Sequence, residues 1–201
     1  MRRGEEPHTD IVLESACRWA NGLSSAPQIV AALTQATYDY FNATSQYNQQ
    51  NPPWAPYQMP NSWTTPGAAV YFFPYNTGLA DNANCMGAAD YVNMMATALG
   101  VNTNVIQMKL SSGANFSTTS CKPFGSTYGY AARSFILHQV VYYNSHVFDP
   151  TAKFANNGSQ VITDASQSTY LQLAIDPAYV PSMVWTPNVG ISANDWHPGN
   201  F

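Results

Sequence analysis

The stretch DNANCMGAADYVNMMATALG, Asp81 to Gly100, decides how this chain is read. A polar, turn-like run ends at Cys85, and an apolar pattern at helical spacing begins there. Met86, Ala89, Val92, Met95, Ala96 and Leu99 form the stripe, with Asp90, Asn93 and Thr97 largely on the other side. Gly100 follows where a helix C-terminus favours a left-handed residue. The spacing therefore predicts a helix with Cys85 in its first turn. A thiol at such a place faces unpaired backbone N–H groups and the positive end of the helix dipole, both of which favour a thiolate. The plainer reading of Cys85 is a small buried apolar side chain, which is what most free cysteines are. Position alone does not choose between them.

A second stretch bears on the choice. Ser134 to Tyr143 (SFILHQVVYY) reads as a strand, Asn144-Ser145 as a tight turn, and His146-Val147-Phe148 as the return strand, ended by Asp149-Pro150-Thr151. His138 shares one strand face with Ile136, Val140 and Tyr142. Paired strands lie about 5 Å apart, so a carboxylate on the return strand can accept the imidazole N–H and fix its tautomer. The other ring nitrogen is then free for a thiol proton. His146, three residues before Asp149, falls on the opposite face of a regular strand and is the weaker base. His8 and His197 sit near the termini, and no histidine pair has ligand-like spacing, so neither a metal nor another cofactor is expected.

Outward from these two stretches the chain reads as follows. Ile11 to Ala20 forms a short helix, with Thr9 or Asp10 as cap and Gly22 as stop. Ser25-Ala26-Pro27-Gln28 has capping-box spacing and opens a second helix carrying Ile29, Val30, Leu33, Ala36, Thr37, Tyr40 and Phe41. Gln49 to Pro74 holds six prolines together with Trp54 and Trp63, a composition that supports neither a long helix nor a central strand. So long an irregular connection points to a cleft wall. Val101 to Leu110 reads as a strand, Ser111 to Tyr130 as a loop, and Ser166 to Ile175 as a short helix.

Composition excludes some functions. Only 9% of the 201 residues are charged, against roughly 25% in an ordinary soluble protein, so solubility is expected to rest on neutral polar groups. Seven Lys plus Arg in a chain of formal net charge -4 offer no basic surface to nucleic acid. No apolar run approaches the roughly 18 to 20 residues of a membrane span, and Met1 to Pro7 lacks the apolar centre of a leader. The expectation is a soluble protein, secreted or delivered outside the producing cell. Three cysteines allow at most one internal disulfide, and one pairing to consider is Cys17 with Cys121, leaving Cys85 free.

Three pieces now stand in order: Asn84-Cys85-Met86-Gly87-Ala88-Ala89-Asp90-Tyr91 at a helix start, His138-Gln139-Val140-Val141-Tyr142 in a strand, and Val147-Phe148-Asp149-Pro150-Thr151 after a short return. That order, preceded by the helix of Gln28 to Phe41, resembles the core of the transglutaminase-like superfamily of Cys-His-Asp thiol enzymes. The chain departs from the pattern at Asn84, where members commonly carry Gly, and at Gln139-Val140, where they carry Ala-Trp. The resemblance implies an α+β fold with a papain/transglutaminase-like core, in which a central helix bearing the cysteine packs on an antiparallel sheet bearing His and Asp. It implies one domain over residues 1–201, with its core at about 25–154.

It further implies Cys85 as nucleophile, His138 as proton carrier and Asp149 as its orienting partner, acting on amides such as glutamine side chains through a thioester. The oxyanion of such a reaction needs donors; the Cys85 backbone N–H is one, with Trp63 and Asn82 as side-chain candidates. For Trp63 the stronger reading is an aromatic packed beneath a loop. The implied partner is a protein or peptide substrate, with an inhibitor or immunity protein if the enzyme is a bacterial effector, and a monomer is expected. Two alternatives remain: a papain-like peptidase or peptidoglycan amidase, and an inactive binding module on the same scaffold.

Overall fold

Buried stripes set the helical side of the molecule. In a computed structural model, which describes residues 7–47 and 81–187, helix α1 spans Pro7–Trp19 and α2 spans Ala26–Thr44. Val30, Leu33, Thr37, Tyr38 and Phe41 of α2 are buried at the three- and four-residue spacing of one helix face. Helix α3, Cys85–Ala98, lies deeper: Gly87, Ala88, Ala89, Tyr91, Val92, Met95 and Ala96 are all buried. The run of small residues lets neighbouring elements approach its first turns closely. It ends as the glycine foretold. Gly100 stands at φ +78, and Gly100 N–H and Val101 N–H return to the Thr97 and Ala96 carbonyls at 2.9 and 2.8 Å.

After α2 the chain forms a three-residue strand, β1 (Ser45–Tyr47), parallel to β2 (Asp81–Ala83), with Tyr47 opposite Ala83. The main sheet follows: β3 (Asn104–Leu110), β5 (Cys121–Pro123), β7 (His138–Tyr143), β8 (His146–Phe154), β9 (Gln160–Ser166) and β10 (Met183–Pro187). Its order is β10-β3-β7-β8-β5, with β9 on the other edge of β8, and every pair is antiparallel. Short β4 (Phe116–Ser117) and β6 (Ser134–Phe135) pair apart from it, and α4 spans Gln167–Ala174. The architecture is α+β.

Strand β7 explains why the sheet sits in the middle. His138, Gln139, Val140 and Val141 are buried in succession, which a strand achieves only when both faces are covered. Val141, with Val105 and Phe148, meets the helices α1 to α3, whereas Val140, with Met108 and Val147, meets α4 and the Phe116–Phe135 pair. Each fully buried Val or Phe contributes about 1.5–3 kcal/mol.

Some sequence expectations need correction. The strand expected over 134–143 is broken before His138. The expected loop 111–130 contains β4 and β5. Strand β8 does not stop at Asp149-Pro150-Thr151 but runs to Phe154; the proline is tolerated because it lies within the register shift between Asp149 and Lys153 of the β8–β9 ladder and beyond the last rung to β7. Of the disulfides considered, Cys17–Cys121 does not form. Cys17 is exposed on α1, while Cys121 is buried in β5 with its sulfur 3.4 Å from Thr118 Oγ1. Among the described residues no helix is long and apolar enough to cross a membrane.

Candidate active site

The hairpin turn aims the site. Asn144 and Ser145 both adopt positive φ, 48 and 66, the backbone that closes a two-residue β-hairpin with the twist of its strands. The ladder it starts runs from Tyr143–His146 to Val141–Phe148 and then stops. Strand β5 takes up the same edge of β8 only from Ala152. Asp149 and Pro150 therefore lie in an interval where that edge has no strand beside it, closed at Thr151, whose carbonyl accepts the Phe124 N–H at 3.0 Å. His138, at the start of β7, turns its ring into this interval.

There the imidazole Nε2 and Asp149 Oδ2 are 2.9 Å apart, both side chains buried. The carboxylate has two further donors. Tyr170 Oη of α4 donates to Oδ2 at 2.8 Å, and the Thr151 N–H, released from any ladder on this edge, donates to Oδ1 at 2.9 Å. Phe135 holds the other side of the imidazole, ring centroids 5.1 Å apart. Burial alone drives an imidazole toward its neutral form, but the charge and hydrogen bond of Asp149 outweigh it. With Cys85 acting in the same direction, His138 is pushed up from 6.5 to about 10. Asp149 moves the opposite way: burial raises it, and the His138 charge and the hydrogen bonds from His138, Thr151 and Tyr170 hold it below the usual carboxylate range.

Cys85 arrives from the helical face. Its helix is capped by Asn84, whose side-chain oxygen accepts the N–H groups of Met86 and Gly87 at 3.0 and 3.1 Å. That is a physical reason for asparagine where the resembled pattern has glycine. The cap leaves the Cys85 N–H as the first-turn amide it does not engage. The thiol is 5% exposed and close enough to act on the His138 imidazole, whose other nitrogen, Nδ1, is buried and makes no closed hydrogen bond.

Of the three expected site residues, His138 and Asp149 are in direct contact, and Cys85 is among the groups that act on the imidazole. His146 is elsewhere, on the surface, in contact with Asp164 of β9. Asn82 lies in β2 with its side chain outside the described residues, as do Trp63, the proline-rich segment 49–74 and His197. No cluster of three or more His, Cys, Asp or Glu suited to a metal ion occurs among the described residues.

Two tyrosines were missed. Tyr170 comes from 21 residues beyond Asp149, and no local pattern marks it as the partner of a carboxylate. Tyr47 is brought in by the β1–β2 pairing, and its phenol is held well above the usual range, first by burial and then by the facing Cys85, Asp149 and Cys121 groups. Substituting Tyr170 by Phe removes one donor from a buried carboxylate. It should destabilise the protein by about 1.5–3 kcal/mol, read as a lower urea midpoint at unchanged m-value.

Comparison of the chain with protein-family models, with curated proteins and with solved structures gives no match.

Proposed function

We propose that the protein is a thiol enzyme of transglutaminase-like type that cleaves or transfers amide groups, with glutamine side chains of proteins or peptides as substrate. The reading is supported by one observation: a buried imidazole clamped by Asp149 on Nε2, with Nδ1 bare and the Cys85 thiol, at a helix start, among the groups that act on the ring. A histidine serving only the core has no need of a fully ligated carboxylate on one nitrogen, a bare second nitrogen and a thiol acting on its ring. In the mechanism the Cys85 sulfur attacks the amide carbon as thiolate, with the His138 imidazolium as its counter-ion. His138 then gives its Nδ1 proton to the leaving ammonia or amine, and a thioester remains. The neutral imidazole next takes a proton from water or from an incoming amine. Water yields the carboxylic acid and an amine yields a crosslink. Asp149 remains ionised throughout and keeps the ring in register.

A sheet carrying His and Asp with the cysteine helix packed on it fits a papain/transglutaminase-like core. The low charge content, 9%, suits an enzyme that works outside the cell that makes it. The second reading, an inert binding module, draws on the 5% exposure of Cys85. Labelling separates the two. Native protein at neutral pH should be alkylated by iodoacetamide at Cys85 at least about tenfold faster than a free thiol of ordinary reactivity, and His138→Ala should remove the excess. Ammonia release from a glutamine-containing peptide without chain cleavage identifies glutamine as substrate; peptide cleavage would point to a peptidase instead. A Cys85 inert to alkylation until the protein is unfolded would sink the enzyme reading.

A further inference from the structure

We propose that Tyr47 is a catalytic residue of this site, its hydroxyl donating, together with the Cys85 backbone N–H, to the oxyanion that forms when the sulfur attacks a carbonyl. The inference rests on the thiol chemistry proposed above and adds the group that chemistry lacks. Its placement is fixed by topology: the parallel β1–β2 register sets Tyr47 opposite Ala83, two residues before Cys85. The ring is held rigidly, edge-on to Phe124 at 5.3 Å, and Phe124 is stacked on Phe41 at 5.2 Å. Among the described residues Tyr47 alone packs against both hydrophobic cores, and Cys85 and Asp149 are among the groups that act on its phenol.

Its neighbours fix what the hydroxyl can do. Burial first, then the charges of Cys85, Asp149 and Cys121 and a hydrogen bond with the Cys85 side chain, keep the phenol protonated and tie it at rest to the nucleophile. It is therefore a neutral O–H donor at every working pH. Asn84 already occupies the Met86 and Gly87 amides, so the first turn of α3 brings the Cys85 N–H but no second free amide from that pair. When sulfur bonds to the carbonyl carbon, the carbon–oxygen π pair moves onto oxygen. A donor beside the sulfur then gains a full negative charge to bind, an interaction far stronger in the transition state than before it. When the tetrahedral adduct collapses, the pair returns to re-form the carbonyl and the leaving group departs.

The test compares two reactions of Cys85 in the full chain. Acylation by p-nitrophenyl acetate passes through an oxyanion and releases p-nitrophenolate; alkylation by iodoacetamide displaces iodide and forms none. Tyr47→Phe is expected to slow acylation by about 10² to 10³ while leaving alkylation within about twofold. The preserved alkylation also shows that the site is folded. 3-Fluorotyrosine at position 47, which keeps the hydroxyl, is expected to retain most of the acylation rate. Acylation unchanged in Tyr47→Phe overturns the inference, as does an equal fall in both rates, which would mean that the phenol activates or positions the sulfur. Faster acylation overturns it too, by showing that the hydroxyl caps the nucleophile. An unsubstituted protein inert to both reagents would instead remove the thiol chemistry itself, and this inference with it.

Discussion

Cys85→Ala is expected to abolish ammonia release from a glutamine peptide, a loss of about 10⁴-fold or more, while stability changes by no more than about 1 kcal/mol. The two halves of that expectation have separate causes. Turnover goes because no neighbouring group can replace the sulfur: Cys121, the other buried thiol, sits in β5 against Thr118, and burial, its first influence, pushes it up to about 11, where it stays protonated. Stability is spared because the cap of α3 is the Asn84 side chain, and alanine is a good helix former in the first turn. The lost sulfur leaves a void smaller than a methylene pair. Cys17→Ser, on the exposed face of α1, is the control that keeps full turnover. If Cys85→Ala retains ammonia release above the uncatalysed rate, the nucleophile has been misassigned.

What could be read from the chain was whatever local periodicity carries. The stripe of α2, the helix from Cys85 to its glycine stop, and the hairpin through Asn144-Ser145 are short-range patterns, and each appears in the structure near its expected bounds. The His138–Asp149 contact was legible for the same reason, since a two-residue turn dictates which residues of a hairpin come near each other. His146 was separable because strand faces alternate. The rest depends on contacts distant in sequence. Tyr47 reaches the site through a parallel pair joined by a long connection, and Tyr170 arrives on a helix beyond β9. Nor does alternation reveal that His138 lies on the face of Met108 and Val140 while Cys85 comes from the face of Val141. Pairing along one edge of β8 lapses at Asp149 and Pro150, beside His138, and Pro150 is its only local sign.

Asp149→Asn keeps shape and one acceptor oxygen but deletes the charge, and it is expected to lower turnover by about 10⁴ and stability at pH 6 by about 3–5 kcal/mol. The ring of His138 is then buried without its main counter-charge, only Cys85 still opposes burial, and its titration falls from about 10 toward the ordinary imidazole range. The pH dependence of stability distinguishes this from ordinary damage. In the unsubstituted protein the folded His138 holds its proton more tightly than the unfolded chain does. Its contribution is complete below about pH 6.5 and is lost as pH rises toward 10. Asp149 has the opposite sense: its contribution is present above about pH 4 and is lost as pH falls through its lowered folded value. Asp90 adds a separate slope. Burial raises its carboxyl to about 7, so it disfavours the fold increasingly between about pH 4 and 7. Unfolding midpoints of the unsubstituted protein should therefore decline across two windows, from about pH 4 to 7 through Asp90 and from about 6.5 to 10 through His138. Asp149→Asn should erase the upper decline and leave the lower one, whereas Asp90→Asn should do the reverse. Persistence of the upper decline in Asp149→Asn would show that the imidazolium does not depend on that carboxylate, and the site would lose the electrostatic basis for its chemistry.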